Sequence, residues 1–110
     1  MKKNEKKILA VLLIIVLALI AYGIIPVVMA SNPDSMHGGN SYYIYGTVTS
    51  RLEIDNTTTF EVNDSGHYFY VFYNGSAPAV GSHVLVHGEY SNIFIDTISA
   101  TSVYPWYYAL

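Results

Sequence analysis

One stretch limits what the rest of the chain can become: His67–Tyr90, HYFYVFYNGSAPAVGSHVLVHGEY. From Tyr68 to Tyr73 every residue is aromatic or β-branched, and Asn74-Gly75 ends the run. A loop with Gly and Pro follows at Ser76–Ser82, and then Val84 and Val86 alternate with their neighbours up to Gly88. Runs of this type at period two build strands. Asn-Gly and Pro supply turn conformations. Such a centre belongs to a small closed β-barrel.

The flanking sequence supplies the remaining strands. Strand 1 is expected over Tyr42–Ile54, with Ile44, Val48, Leu52 and Ile54 inward and Tyr43, Tyr45, Thr47, Thr49 and Arg51 outward. Gly46 falls on the inward side, where a long barrel strand coils sharply or another backbone comes close. Asp55-Asn56-Thr57 turns into strand 2, Thr58–Asn63, with Phe60 and Val62 inward. Asp64-Ser65-Gly66 turns into strand 3, His67–Tyr73, with Phe69, Val71 and Tyr73 on one face and Tyr68, Tyr70 and Phe72 on the other. Strand 4 covers His83–Tyr90 and points His83, Leu85, His87 and Glu89 outward. Ser91-Asn92 leads into strand 5, Ile93–Val103, whose alternation slips around Asp96–Ile98 and predicts a bulge there. Five strands, with the longest connection between the third and fourth, match an all-β fold: a five-stranded OB-fold, or Greek-key barrel, occupying residues 41–104. The immunoglobulin-like sandwich needs seven strands.

Ahead of the barrel, Ile8–Ala30 is free of charge and follows a basic cap, Met1–Lys7, that holds Lys2, Lys3, Lys6 and Lys7. A hydrocarbon core of about 30 Å takes about 20 helical residues to cross, so the run reads as one N-terminal transmembrane helix. Lysines on its N-terminal side keep that side in the cytoplasm and place the barrel outside, on a single-pass cell-membrane protein. A cleaved signal segment ending after Ala30, which would release the barrel as a secreted protein, is the alternative, although the run exceeds the usual apolar core of about 7–15 residues. Ser31–Asn40 (SNPDSMHGGN) reads as a flexible linker and 105–110 as an aromatic tail, within Tyr104–Leu110 (YPWYYAL).

The chain has 110 residues and no Cys, which excludes disulfides and thiolate metal sites. From Ser31 onward Arg51 is the one Lys or Arg, against seven Asp and Glu residues. Phosphate neutralisation needs a basic patch, so nucleic acid is not an expected partner.

Val71, Tyr73, Gly75 and Pro78, followed by Gly81, Val84, Val86 and Gly88, carry a resemblance to the haem chaperone of cytochrome c maturation. That family has Val-x-Tyr-x-Gly-x-x-Pro and then Gly-x-x-Val-x-Val-x-Gly, on a membrane-tethered OB-fold facing outward. The resemblance implies the same fold and topology. The family attaches haem through a His-x-x-x-Tyr or Cys-x-x-x-Tyr motif past the last strand, and Tyr104–Leu110 holds neither His nor Cys. Covalent haem attachment is therefore not carried over.

The candidate site is aromatic. Tyr68, Tyr70 and Phe72 of strand 3, with Tyr43 and Tyr45 of strand 1, are expected to form an outward platform on the usual ligand face of this fold. Trp106 either contributes to that platform or belongs to tail packing that covers it. Exposed aromatic surface suits a flat ligand or a protein partner. His83 and His87 stand about 13 Å apart on a strand, too far to share one metal ion. Asn56, Asn63 and Asn74 each head an Asn-x-Ser/Thr pattern and are candidate glycosylation sites. No nucleophile elbow or other catalytic motif is recognisable, and no enzyme is expected. The expected function is that of a non-catalytic binding or assembly module that engages a membrane or envelope protein and holds the lipid bilayer through its N-terminal helix. Two alternatives remain open: a non-covalent haem-binding protein, and a structural surface subunit that forms homo-oligomers through its tail. Neither a cofactor nor a metal is otherwise expected.

Overall fold

An apolar run of this length satisfies its own backbone in lipid by becoming a helix. The computed structural model describes residues 3–54 and 57–110. The turn expected at Asp55-Asn56-Thr57, and Asn56 as a glycosylation acceptor, therefore lie outside the described residues. Helix α1 (Lys3–Met29) has 27 residues and is long and apolar enough to cross a membrane by length and composition. At 1.5 Å per residue it extends about 40 Å. Pro26 sits inside the helix instead of ending it, and both Pro26 and Gly23 are buried.

Ser31–Asn40 is laid down on the barrel. Asn32 accepts a hydrogen bond from the Asp34 amide at 3.0 Å and caps a 3-10 turn at Pro33–Ser35. Met36 is 7% exposed and joins the core. The Gly39 amide donates to the Tyr90 carbonyl at 2.8 Å, and the Tyr90 amide to the Asn40 carbonyl at 2.8 Å. A lone Met among turn formers gives no periodic signal, so the sequence does not announce its burial.

The barrel comprises β1 (Ser41–Ile54), β2 (Thr57–Asp64), β3 (His67–Tyr73), β4 (His83–Ser91) and β5 (Thr97–Trp106). It is closed in the order β1-β2-β3-β5-β4, with β4 returning to β1. β3 and β5 run parallel; the other pairs are antiparallel. β1 serves two neighbours: Ser41–Thr47 pairs with β4 and Thr47–Ile54 with β2. Gly46 sits where it changes partner, and a Cβ there would lie 2.5 Å from the Asn63 carbonyl oxygen. The β2–β3 turn has Ser65 at φ 52 and Gly66 at φ 95, a backbone that suits Gly and strains other residues. Ile44, Val48, Phe60, Val62, Phe69, Val71, Val84, Val86 and Ile98 fill the barrel, each at most 1% exposed.

Four placements differ from expectation. Leu52 is 59% exposed, not inward. The register shifts between Val48 and Ser50, so Thr49 is an extra residue in β1. One inserted residue reverses the facing of the residues after it, and Leu52 pairs with the outward Thr59. β5 begins at Thr97 and not at Ile93; Ile93, Phe94 and Ile95 form an exposed loop tip, 81%, 96% and 53% accessible. The bulge in β5 falls at Thr101, between the pairs His87↔Ser102 and Gly88↔Ala100, five residues beyond the Asp96 end of the expected slip. Leu85 faces outward by register, yet it is only 3% exposed, lying in the ladder between Tyr45 and Tyr104.

Helix and barrel are joined by the tail. Proline has no amide hydrogen, so Pro26 leaves the Tyr22 carbonyl without its helical donor. The Trp106 indole N–H donates to that carbonyl at 3.3 Å. The Trp106 and Tyr22 rings stack, centroids 4.4 Å apart and planes 9° from parallel. The Tyr107 amide donates to the Tyr22 hydroxyl at 3.0 Å, the Tyr108 hydroxyl to the Leu19 carbonyl at 2.5 Å, and the Leu110 amide to the Gly23 carbonyl at 3.0 Å.

A Cβ at Gly88 would fall on the Ser99 carbonyl oxygen and lie 2.7 Å from the Ala100 Cα. Both obstacles are backbone. Gly88→Ala is therefore expected to destabilise the barrel by about 1–3 kcal/mol, the usual scale of overpacking. Denaturant unfolding in detergent, followed by circular dichroism, reads the shift; an unchanged midpoint would contradict the packing at this bulge.

Candidate functional site

β3 alternates without a break. Phe69 and Val71 are fully buried, whereas Tyr68, Tyr70 and Phe72 are 48%, 36% and 42% exposed. Across from them, the outward residues of β2 are polar: Asn63 opposes Tyr68, Glu61 opposes Tyr70 and Thr59 opposes Phe72. Thr49 donates to Glu61 at 2.6 Å. A hydrogen bond to Glu61, with the carboxylate's charge, raises the Tyr70 hydroxyl above its ordinary value. The surface is thus an aromatic strip with a fixed acceptor at one side.

The six aromatic residues that the sequence grouped together fall into three places. Tyr43 and Tyr45 lie on the half of β1 that pairs with β4, not on the half beside β2. Their rings stand 4.2 Å from His87 and 6.0 Å from His83. The end of α1 passes this side: Ala30 bridges to Tyr43, and the Ser31 amide donates to the Tyr43 carbonyl at 2.8 Å. Trp106, the last residue of β5, stacks against Tyr22 of α1. The open strip consists of Tyr68, Tyr70 and Phe72, and the tail does not cover it.

His83 and His87 each have a threonine at hand, Thr47 at 3.1 Å and Thr101 at 3.2 Å. Glu53 accepts the Ala77 amide at 3.0 Å and Arg51 donates to the Ala77 carbonyl at 3.4 Å, so both hold the β3–β4 loop. That loop contains no helix. Asn63 accepts the Gly66 amide at 2.7 Å and caps the β2–β3 turn; Asn74 is exposed at the end of β3.

A second site was not visible in the sequence. The end of α1, the Ser31–Asp34 segment and the β2–β3 turn enclose an open cleft of about 620 Å³, with Asp34, Tyr45, Asp64 and His67 among its lining residues. His67 Nε2 lies 2.6 Å from Asp96 Oδ2, and the Tyr90 hydroxyl donates to Asp96 Oδ1. Asp96 thereby joins the end of β4, the start of β3 and the approach to β5. Burial holds the Asp64 carboxyl above its ordinary value, against the opposing pull of His67. His67 and Asp96 are 29 residues apart, and nothing local in the chain announces the pair.

No protein-family model matches the sequence, and no curated protein matches it. Among solved structures the chain is similar to one described as OBody AM1L10 bound to hen egg-white lysozyme, with a TM-score of 0.54 at 15% identity. The match covers 71% of this chain and 99% of that one. At this identity the likeness establishes the fold alone, the closed five-stranded OB-type barrel.

Burial, together with the hydrogen bond to Asp96 and the charge of that carboxylate, pushes the Tyr90 hydroxyl from 10.0 up to about 12. A raised acid favours the neutral form in the fold. Its stabilisation is complete below pH 10.0 and is lost as the pH rises through about 12. Tyrosinate absorbance is expected to show a late-titrating tyrosine in the native protein and to lose it in Tyr90→Phe. A native titration with no such late component would contradict the Tyr90–Asp96 bond.

Proposed function

We propose that the protein is a membrane-anchored binding module whose barrel, outside the cytoplasm, engages a membrane or envelope protein through the β2–β3 face. The observation that carries this reading is the strip of Tyr68, Tyr70 and Phe72, left open on a strand that has no polar residue between them. Three adjacent aromatic side chains in water are a cost that a soluble surface rarely keeps without a contact to make. Aromatic anchors with a polar handle are typical of protein contacts. The Ile93–Ile95 tip adds to the same side: the Asp96 carbonyl accepts the Tyr70 amide at 3.0 Å, so the exposed loop leaves the barrel beside β3. The scarcity of Lys and Arg beyond Ser31 argues against the nucleic-acid ligands common for this fold. No step of chemistry is assigned, because the His67–Asp96–Tyr90 cluster ties three strands together and needs no substrate to account for it.

Haem binding rests on the likeness of the Val71–Gly88 stretch alone, without an attachment residue in the tail. The anchored-partner reading has the open strip in its favour.

The experiment is purification of the full-length protein, tagged at its N-terminus, from native membranes in mild detergent. Native protein is expected to bring down a stoichiometric membrane or envelope protein. Tyr68→Ser/Tyr70→Ser/Phe72→Ser is expected to keep the β-sheet circular dichroism and to lose that partner. Equal capture by the triple variant would overturn the proposal.

A further inference from the structure

The tail contacts α1 at a depth that matters. Counting about 20 helical residues for a hydrocarbon core of about 30 Å, a span that begins at Ile8 reaches its far boundary near residue 27. Leu19, Tyr22 and Gly23 then lie roughly 6–12 Å inside that boundary, at 1.5 Å per residue. These are the residues to which Trp106, Tyr107, Tyr108 and Leu110 are bonded. The tail therefore shares their depth.

Its chemistry fits that depth. Tyr104–Leu110 carries no charged side chain. Tyr107 and Leu110 are 83% and 67% exposed. Trp and Tyr favour the boundary between hydrocarbon and headgroups. Irregular backbone survives at membrane depth where its polar groups are paired within the protein. The amides of Tyr107 and Leu110, the indole N–H and the Tyr108 hydroxyl are all paired onto α1. Pro26 adds an independent sign. It strips the Tyr22 carbonyl of its donor, and water would replace that donor freely if the position were wet. Here an indole replaces it.

We propose that Trp106–Leu110, the end of β5 and the tail beyond it, is a second membrane-embedded element, lying against α1 in the outer part of the bilayer leaflet on the barrel's side. This rests on the anchored reading above. The barrel is then seated on the lipid surface, not swung from a tether. The Ile93–Ile95 tip lies beyond Thr97, at the opposite end of β5 from Trp106, about 30 Å of strand away.

Trp106 is the one tryptophan in the chain, so its fluorescence reports the tail alone. The full-length protein is reconstituted in vesicles of phosphatidylcholine and phosphatidylglycerol whose acyl chains carry bromine at a shallow or a deep position. The vesicles are floated first. The expected result is co-flotation, loss of half or more of the Trp106 emission with shallow bromines, a smaller loss with deep ones, and weak quenching by aqueous acrylamide. Protein that floats while its Trp106 emission ignores bromine and is open to acrylamide overturns the embedded tail and leaves the anchor standing. Protein that fails to float overturns the anchored reading and the embedded tail with it.

Discussion

A proline in the last turns of a membrane-length helix takes away one amide hydrogen, and the carbonyl of Tyr22 is left without its donor. Trp106 supplies one, 84 residues further along the chain, and stacks its ring on the same tyrosine. The relation of helix to barrel follows from that contact. A stacked aromatic pair contributes about 0.5–1.5 kcal/mol beyond its buried area. A hydrogen bond adds about 1 kcal/mol in water. Gly23 belongs to the same joint: a Cβ there would lie 2.7 Å from the Tyr108 ring and 2.9 Å from Leu110. Gly23 and Pro26, both poor helix formers, are where the last strand docks.

The joint also explains which surfaces stay free. The tail packs on α1 and so leaves β3 uncovered. The end of α1 runs beside the first half of β1 and draws Tyr43 and Tyr45 away from solvent, next to His87 and His83. The Tyr68–Phe72 strip and the Ile93–Ile95 tip stay open, on the side of the barrel where β3 meets β5. The Asp96 network fixes that corner, because one carboxylate receives Tyr90 from β4 and His67 from β3.

How much of this is legible in the sequence depends on phase. β3 reads residue for residue, since a run without polar positions is bounded by Gly66 and Asn74-Gly75. Gly46 reads as a sharp coil or a close approach because it stands where an inward apolar residue was due, whereas Gly88 reads only as the end of the Val84–Val86 alternation. The bulge at Thr49 does not read: Thr49-Ser50-Arg51 is polar throughout, so the alternation carries no phase there, and Leu52 is assigned by extrapolating across it. Ile93-Phe94-Ile95 is apolar enough to pass for strand but has no alternation, and the chain uses it as a loop tip. Half of the aromatic site is legible for the same reason that β3 is. The other half depends on β1 changing neighbours at Gly46, a fact of barrel closure. The docking of Trp106 on Tyr22 and the pairing of His67 with Asp96 are long-range, and no local pattern encodes them.

Helix and barrel form one body through the tail, and a distance between labels on the two decides whether they do. The chain has no cysteine, so Leu13→Cys and Ser99→Cys, both at exposed positions, give two spin-label sites in the full-length protein in vesicles. A rigid joint gives a single narrow distance distribution, broadened by Trp106→Ala. A broad distribution with Trp106 in place would rule that joint out.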